Sequence, residues 1–321
     1  MATERASAEN YTIALMFPGQ GSQFPGMAMD LVNANVDSRD TLALADEILG
    51  YPLSRVMKNK NRDELDQTIH TQPAIFVHSM LVWRLLERRL RLRPLIAAGH
   101  SLGEYTALCA AGALTFEDAL RLVRIRAEAM NSAQSAGNCG MAAVIGISVD
   151  RIREIIESVK QDSVLDIANY NSPDQFVISG KLDALDRAKE ILSKEKRSRI
   201  VNLPVSSAFH TELMKPAQEK LKSGLEGIFI APTRFVVVAN VNAVPYPDDP
   251  AEMKRLLLRQ IVSPVLWEAS VRRIIDLGTS RFVEIGPGKV LSGLLKRIDR
   301  SVDIVSISDW DTINNLRGTF L

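Results

Sequence analysis

The stretch Ala98-Gly99-His100-Ser101-Leu102-Gly103-Glu104 joins a short apolar run to a helix-forming segment, and this junction decides the fold. The run before it, residues 95–98, is typical of a buried strand, and residues 105–111 are typical of a helix that ends at Gly112. A G-x-S-x-G sequence between a strand and a helix is the setting of a nucleophile elbow. The sequence therefore predicts Ser101 as a nucleophile, and the alternative is an ordinary serine in a glycine-rich turn.

The predicted elbow also determines what surrounds the serine hydroxyl. Two flanking glycines let the backbone turn sharply, and the turn places the hydroxyl at the positive end of the following helix. The backbone N–H of Leu102 then points toward an oxygen bonded to the carbon that Ser101 attacks.

Composition restricts the classes of function. The chain has 321 residues, 46% hydrophobic and 24% charged, with a formal net charge of +1. No basic excess is left for a nucleic-acid partner, and no apolar run approaches the ~18 residues of a membrane span. Two cysteines, Cys109 and Cys139, form neither a disulfide scaffold nor a C-x-x-C metal pair. Residues 1–10 are polar, with no signal-peptide apolar region. We therefore expect a soluble, cytoplasmic protein with no membrane partner.

Two segments before the elbow predict further elements. Residues 11–17 are apolar and predict a buried first strand, followed by the glycine- and amide-rich loop 18–23. This loop completes neither a dinucleotide nor a phosphate-binding fingerprint, so a ligand-facing turn and an ordinary loop both stay open. Thr71-Gln72-Pro73 predicts a helix start, because a proline in the first turn loses no hydrogen bond.

Arg126 lies in a helix predicted from Thr115 to about Met130. On a helical wheel it falls on the apolar face, between Leu122 and Met130. A buried guanidinium needs an anionic or polar partner, because an unpaired buried charge is costly. Arg126 is thus a candidate binding residue, and the alternative is a snorkelling or salt-bridged arginine of the fold.

A small domain is predicted inside the chain, after the linker-like residues 132–140. The order is β-α-β-β-α-β, the ferredoxin-like arrangement. The predicted strands are 141–147, 165–170, 175–179 and 199–203, and the predicted helices are 149–160 and 182–194. We expect residues 138–204 to be an insertion and residues 11–137 and 205–309 to form one discontinuous catalytic part.

The remaining strands alternate with helices, which predicts an α/β fold with a mainly parallel sheet. The tail after Asp309 is polar and poorly patterned. Of the four histidines, His210 is the best candidate base, because it follows small polar residues and precedes a helix. The alternative for His210 is a structural histidine.

Six motifs in order resemble those of malonyl-CoA:acyl carrier protein transacylases. They span about residues 14–298 and are Phe17–Gln23, Gly99–Glu104, the Arg126 helix, Asn171–Pro173, Phe209-His210 and Glu284–Gly288. The resemblance implies an α/β-hydrolase-like large subdomain with an inserted ferredoxin-like small subdomain. It also implies that Ser101 is the acylated nucleophile, His210 its base and Arg126 the clamp on the malonyl carboxylate.

The same resemblance implies that Gln20 and Leu102 supply the oxyanion N–H groups. Gln260 corresponds to the residue whose backbone carbonyl orients the histidine. Residues 207–210 are similar to the segment that favours malonyl in polyketide acyltransferases. This chain has Ser207 where those domains commonly carry histidine, which weakens the inference of selectivity.

The implied activity is ping-pong transfer of malonyl from malonyl-CoA to acyl carrier protein, supplying fatty acid chain elongation. The substrates would be malonyl-CoA and the carrier protein, with no bound cofactor, no metal and a monomeric enzyme. Three alternatives stay open: an acyl-thioester hydrolase, a polyketide-type acyltransferase with another extender unit, and an inactive module that binds carrier protein.

Overall fold

The computed structural model describes residues 13–90, 94–134 and 138–316. Within these ranges the strands are β1 Ile13–Phe17, β2 Ile96–Gly99, β3 Cys139–Ile145, β4 Leu165–Ser172, β5 Gln175–Lys181, β6 Arg199–Asn202, β7 Val236–Val238, β8 Arg281–Ile285 and β9 Asp303–Ile307.

The helices of the same ranges lie between these strands or after the last of them, five of them in succession after β1, and a 3₁₀ turn, Glu212–Met214, precedes α10. They are α1 Met29–Ala34, α2 Val36–Leu49, α3 Leu53–Lys58, α4 Arg62–Leu65, α5 Thr68–Leu90, α6 Gly103–Ala110, α7 Phe116–Gln134, α8 Val149–Val159, α9 Leu182–Leu192, α10 Lys215–Glu226, α11 Pro250–Ile261, α12 Trp267–Asp276, α13 Val290–Ile298 and α14 Trp310–Asn314. None of the described helices is long and apolar enough to cross a membrane.

The larger sheet has five parallel strands in the order β7-β2-β1-β8-β9. Every residue of β1 is buried, because both faces of this central strand are covered. Leu15 and Phe17 belong to one apolar core, while Ala14 and Met16 belong to a second core on the opposite face. The expected parallel α/β sheet is confirmed, and its strand ends place the elbow after β2.

The smaller sheet has four strands in the order β4-β5-β3-β6, all paired antiparallel. Its apolar core includes one face each of α8 and α9, which are amphipathic. Chain order and strand order together give the ferredoxin-like arrangement. The strands and helices predicted for residues 138–204 are all present, with ends shifted by a few residues.

The two sheets meet beside the elbow. Tyr170 N–H of β4 donates to the Val265 carbonyl at 2.9 Å, and Val265 N–H donates to the Ala168 carbonyl at 2.9 Å. His100 Nε2 lies 2.8 Å from Asn171 Oδ1, also on β4. The smaller sheet is thereby joined to the segment around Val265 and to His100, the residue before Ser101.

Two local expectations, the start of α5 and the linker at residues 132–140, were wrong. Helix α5 begins at Thr68, so Pro73 lies inside it, and the Tyr51 hydroxyl donates to the Ile69 carbonyl at 3.2 Å. That carbonyl is the one that a proline four residues later leaves without its helical donor. Residues 132–134 continue α7 instead of forming a linker, and residues 135–137 lie outside the described ranges. The tail forms α14, which begins with a capping box at Asp309. Residues 11 and 12 of the predicted first strand also lie outside the described ranges.

Candidate active site

Ser101 occupies a strained turn between β2 and α6, with φ 51°. A non-glycine residue adopts this left-handed conformation only when its surroundings hold it there. Asn240 does so, because its Oδ1 accepts from Ser101 N–H at 2.8 Å and its Nδ2 donates to the Gly99 carbonyl at 2.7 Å. One buried side chain thus ties both sides of the turn together.

The glycines beside Ser101 are required for a different reason from the one expected. The positive φ belongs to Ser101 itself. A Cβ on Gly99 would lie 1.8 Å from the Gly103 carbonyl carbon, and one on Gly103 would lie 2.0 Å from the Phe17 carbonyl oxygen. Because such contacts are impossible, only glycine lets the elbow pack against itself and against β1.

His210 is the histidine at the Ser101 hydroxyl, with 2.8 Å between His210 Nε2 and Ser101 Oγ. Its Nδ1 lies 2.9 Å from the Gln260 carbonyl oxygen and 3.2 Å from that of Ser263. Carbonyls only accept hydrogen bonds, so Nδ1 carries the proton and the Nε2 lone pair faces the serine. His210 also has a left-handed backbone, with φ 61°.

The electrostatic surroundings keep this imidazole neutral. Burial, and after it the positive charge of Arg126, lower the pKa of His210 to about 3 against the opposing effect of the two carbonyl hydrogen bonds. A neutral imidazole can accept a proton, whereas an imidazolium cannot. At neutral pH His210 is therefore in the form of a base.

The other three histidines serve the fold. His78 is buried, its pKa is lowered by burial to about 4, and its Nε2 donates to the Ser308 carbonyl. His100 bonds Asn171 and packs near the ring of Trp267, and His70 packs edge-on against Tyr51. Among the described histidines, His210 is the one that contacts the Ser101 hydroxyl.

Arg126 is 1% exposed and reaches the same hydroxyl. Its Nη2 donates to Ser101 Oγ at 2.9 Å and to Gln260 Oε1 at 3.1 Å, and its Nη1 donates to Gln72 Oε1 at 2.7 Å. Its buried Nε has no hydrogen-bond partner among the described residues, and no described carboxylate forms an ion pair with it. Arg126 thus combines a full charge with a free donor, the property of a site for an anion.

Glu104 lies beneath this arrangement, fully buried in the first turn of α6. It accepts from the Tyr246 hydroxyl at 2.6 Å, from Asn240 N–H at 3.1 Å and from Gln260 Nε2. Burial raises the pKa of Glu104 to about 7, while the hydrogen bonds and Arg126 act in the opposite direction.

Gln20 and Leu102 lie on the wall of the Ser101 cavity, as the motifs imply. Within the described residues, neither backbone N–H has a protein partner. The Gln20 side chain is directed to Thr68 Oγ1 at 3.2 Å, and Gln23 Oε1 accepts from Gly21 N–H at 2.8 Å. The loop after β1 therefore presents backbone donors at the carboxyl ends of the strands.

The cavity lies between the two sheets. Its polar side carries the serine, histidine and arginine described above. Its apolar side is formed by Met130, Met141, Leu203, Val205 and Phe209. A small acyl group with a charged end and a flexible thioester arm suits such a mixed cavity. The described residues contain no cluster of histidine, cysteine and acidic side chains that could hold a metal ion.

The six residues singled out from the sequence meet at this cavity or directly behind it. Five of them line it: Gln20, Ser101, Leu102, Arg126 and His210. Gln260 lies behind them and contacts the serine, the arginine and the histidine. The sequence did not reveal the supporting residues Gln72, Asn240 and Tyr246. Gln72 was interpreted only as part of a helix start, and the other two follow β7 with no motif around them. Glu104 was quoted within the elbow stretch but was given no role.

The fold and the elbow are those of an acyl transferase, and the family model for the acyl transferase domain matches residues 15–309, so the chain belongs to this family. Within it, the chain is 40% identical over 302 residues to malonyl CoA-acyl carrier protein transacylase of Bacillus subtilis strain 168, covering 94% of this chain and 95% of the relative. The resemblance found in the motifs is thereby confirmed.

Solved structures of malonyl transacylases share the fold of this chain. Malonyl-CoA:acyl carrier protein transacylase from Xanthomonas oryzae pv. oryzae matches with a TM-score of 0.91 and 39% identity, covering 94% of this chain and 96% of that one. A malonyl transacylase in complex with the acyl carrier protein of a type II polyketide synthase matches with a TM-score of 0.90 and 37% identity, covering 94% and 98%.

Proposed function

We propose that this protein transfers a malonyl group from malonyl-CoA to the phosphopantetheine thiol of acyl carrier protein, supplying fatty acid chain elongation. A malonyl ester of Ser101 is the intermediate. The observation that carries the proposal is the position of one hydroxyl between a base and a cation: Ser101 Oγ lies 2.8 Å from His210 Nε2 and 2.9 Å from Arg126 Nη2.

Acylation begins with proton transfer, because a serine hydroxyl is a weak nucleophile at neutral pH. His210 Nε2 takes the proton from Ser101 Oγ as the oxygen attacks the thioester carbonyl. The carbon–sulfur bond then breaks, and the imidazolium returns the proton to the departing CoA thiolate. The carbonyls of Gln260 and Ser263 hold Nδ1–H throughout and stabilise the imidazolium, so no carboxylate is needed behind the histidine.

The negative oxygen of the tetrahedral intermediate is assigned to the backbone N–H groups of Gln20 and Leu102. Both groups belong to rigid turns at the carboxyl ends of strands, so little reorganisation is needed when charge develops. Removing one such donor costs ~2.7–4 kcal/mol in characterised enzymes.

Arg126 is assigned to the malonyl carboxylate. A planar guanidinium matches a carboxylate through two parallel hydrogen bonds. Arg126 brings the free Nε donor together with an Nη2 whose present partners are all neutral. An acetyl group offers no carboxylate and leaves this buried charge without an anion.

Transfer to the carrier repeats these steps in reverse. His210 takes the proton from the phosphopantetheine thiol, the thiolate attacks the malonyl ester, and Ser101 Oγ leaves with the proton. A hydrolase with the same residues would admit water at this stage, whereas a transferase must exclude it. The apolar side of the cavity, with Met130, Met141 and Phe209, favours exclusion of water.

We also propose that the enzyme works as a monomer in the cytoplasm, without a bound cofactor. All the groups that the steps above require come from one chain. The proton and acyl transfers balance with side chains and substrates alone. The two cysteines, Cys109 and Cys139, form no disulfide, which suits a reducing compartment.

A partition experiment tests the transfer. Enzyme acylated with malonyl-CoA labelled in the malonyl group is mixed with holo acyl carrier protein, and label on the carrier is measured against free malonate. We expect most of the label on the carrier thiol, and a carrier that lacks phosphopantetheine serves as the control. Release of the label mainly as malonate, with or without the carrier, would identify a hydrolase instead.

A further inference from the structure

Gln260 connects three parts of the site through one side-chain amide. Its Nε2 donates to the Ser101 carbonyl at 2.8 Å and to Glu104 Oε2, and its Oε1 accepts from Arg126 Nη2 at 3.1 Å. Rotation of the amide by half a turn would exchange its oxygen and nitrogen. The NH₂ group would then face the guanidinium, where two donors meet and no hydrogen bond forms.

Glu104 and the Ser101 carbonyl together decide which way this amide points. An ionised carboxylate only accepts hydrogen bonds, so the end of Gln260 that faces it must be the NH₂ group. The other partners of Glu104 are the Tyr246 hydroxyl and the Asn240 N–H, which donate to its Oε1. These three donors favour the ionised form of the carboxylate against burial, which raises its pKa, and they hold it in one orientation.

The same carboxylate supplies a negative charge close to Arg126. The hydrogen-bond partners of Arg126 are Gln72, Ser101 and Gln260, all of which are neutral. Burial lowers the pKa of Arg126, and the charge of Glu104 is among the influences that counteract this fall. Glu104 and Arg126 are linked through the Gln260 amide and form no direct ion pair. The guanidinium is therefore open to a substrate carboxylate.

We propose that Glu104 is a positioning residue for the malonyl carboxylate: through the amide of Gln260 it holds the Arg126 guanidinium ready to receive an anion. This inference rests on the proposed role of Arg126. Glu104 itself touches neither the substrate nor the reacting atoms.

The test is the ratio of malonyl to acetyl transfer in Glu104→Gln, a substitution of nearly equal volume. A glutamine at this position must turn its NH₂ group toward either Gln260 Nε2 or Asn240 N–H, so two donors meet and the Gln260 amide is held less firmly against Arg126. We expect malonyl transfer to fall by ~10- to 100-fold, the scale of a catalytic group displaced by about 1 Å. Acetyl transfer does not use the anion site, so it should change little and the ratio should fall with malonyl transfer.

Two further variants separate positioning from support of the fold. Tyr246→Phe removes one donor to Glu104 but leaves Oε2 as the acceptor for Gln260 Nε2, so it should lower the ratio less than Glu104→Gln does. Gln260→Met removes the amide but keeps the backbone carbonyl that holds His210, and it should reproduce the loss of the Glu104→Gln variant. This second variant tests the inference even if Glu104→Gln does not fold.

The outcomes separate the inference from the function on which it rests. A ratio unchanged in both Glu104→Gln and Gln260→Met, with malonyl and acetyl transfer falling together, would overturn the positioning role while Arg126→Ala still lowers the ratio. A ratio unchanged in Arg126→Ala as well would overturn the assignment of Arg126, and the inference with it.

Discussion

Ser101 and His210 are 109 residues apart in the sequence, yet each has a left-handed backbone, with φ of 51° and 61°, and their side chains meet at 2.8 Å. Left-handed non-glycine residues are costly and persist only where the surroundings hold them. Here Asn240 holds the first residue, and Ser179 Oγ donates to the carbonyl before the second at 2.9 Å. The larger sheet thus supports the serine, while β5 of the smaller sheet supports the histidine.

Removal of the base should slow acylation without preventing it. Loss of a general base typically costs ~10²–10⁴ in rate, so His210→Ala should acylate that much more slowly with malonyl-CoA in rapid-quench experiments. The melting temperature of the variant should be measured alongside as a control for folding. Acylation at close to the wild-type rate would show that another group accepts the serine proton.

The protonation state of His210 can be observed directly. Because burial and the charge of Arg126 lower its pKa to about 3, its imidazole should remain neutral, with the proton on Nδ1, from pH ~8 to ~5. Nitrogen NMR of the ring, assigned by comparison with His210→Gln, measures this. In Arg126→Ala the pKa should rise while staying below the ordinary value, since burial is the larger cause. A titration of His210 near pH ~6.5 in the wild-type enzyme would contradict the site geometry.

Arg126→Ala should reverse the preference for malonyl over acetyl. Leaving a buried charge without its partner costs ~2–5 kcal/mol, which corresponds to roughly 30- to 5,000-fold in discrimination. Lysine at this position keeps the charge but loses the paired donors, so it should restore only part of the ratio. If Arg126 serves only the fold, stability and both activities will fall together while the ratio stays constant.

The fold was largely predictable because the buried elements have clear periodicity. Helices α8 and α9 follow directly from apolar patterning, and the elbow follows from a motif with its flanking strand and helix. The start of α5 was missed because a distant tyrosine satisfies the carbonyl that Pro73 leaves free. Asn240 and Tyr246 were missed because their roles depend on contacts with Ser101 and Glu104, more than a hundred residues away.

Asn240 should matter for both stability and rate. Asn240→Ala leaves the buried Ser101 N–H and Gly99 carbonyl without these partners, so the free energy of unfolding should fall by ~1–3 kcal/mol. The turn should also relax, which slows acylation. The matched control is Asn242→Ala, because Asn242 is exposed and its Oδ1 accepts from Val244 N–H in the same loop. Equal effects of the two substitutions would show that the elbow needs no side-chain support.

The domain division is also open to test. We propose that residues 138–204 form a subdomain inserted into a large subdomain made of residues 11–137 and 205–309. The smaller sheet has its own apolar core, which supports the proposal. In hydrogen exchange with mild denaturant, amides 138–204 should lose protection as one group, separately from the larger sheet. Loss of protection throughout both sheets in a single step would argue against two units.

The most direct measurement of the central claim is the intact mass of the protein after brief mixing with malonyl-CoA, followed by peptide mapping. We predict an increase by one malonyl group, located on Ser101, which disappears when holo acyl carrier protein is added. Ser101→Ala should show no increase. An unmodified wild-type protein that still produces malonyl carrier protein, or a malonyl group on another residue, would contradict transfer through a malonyl-serine.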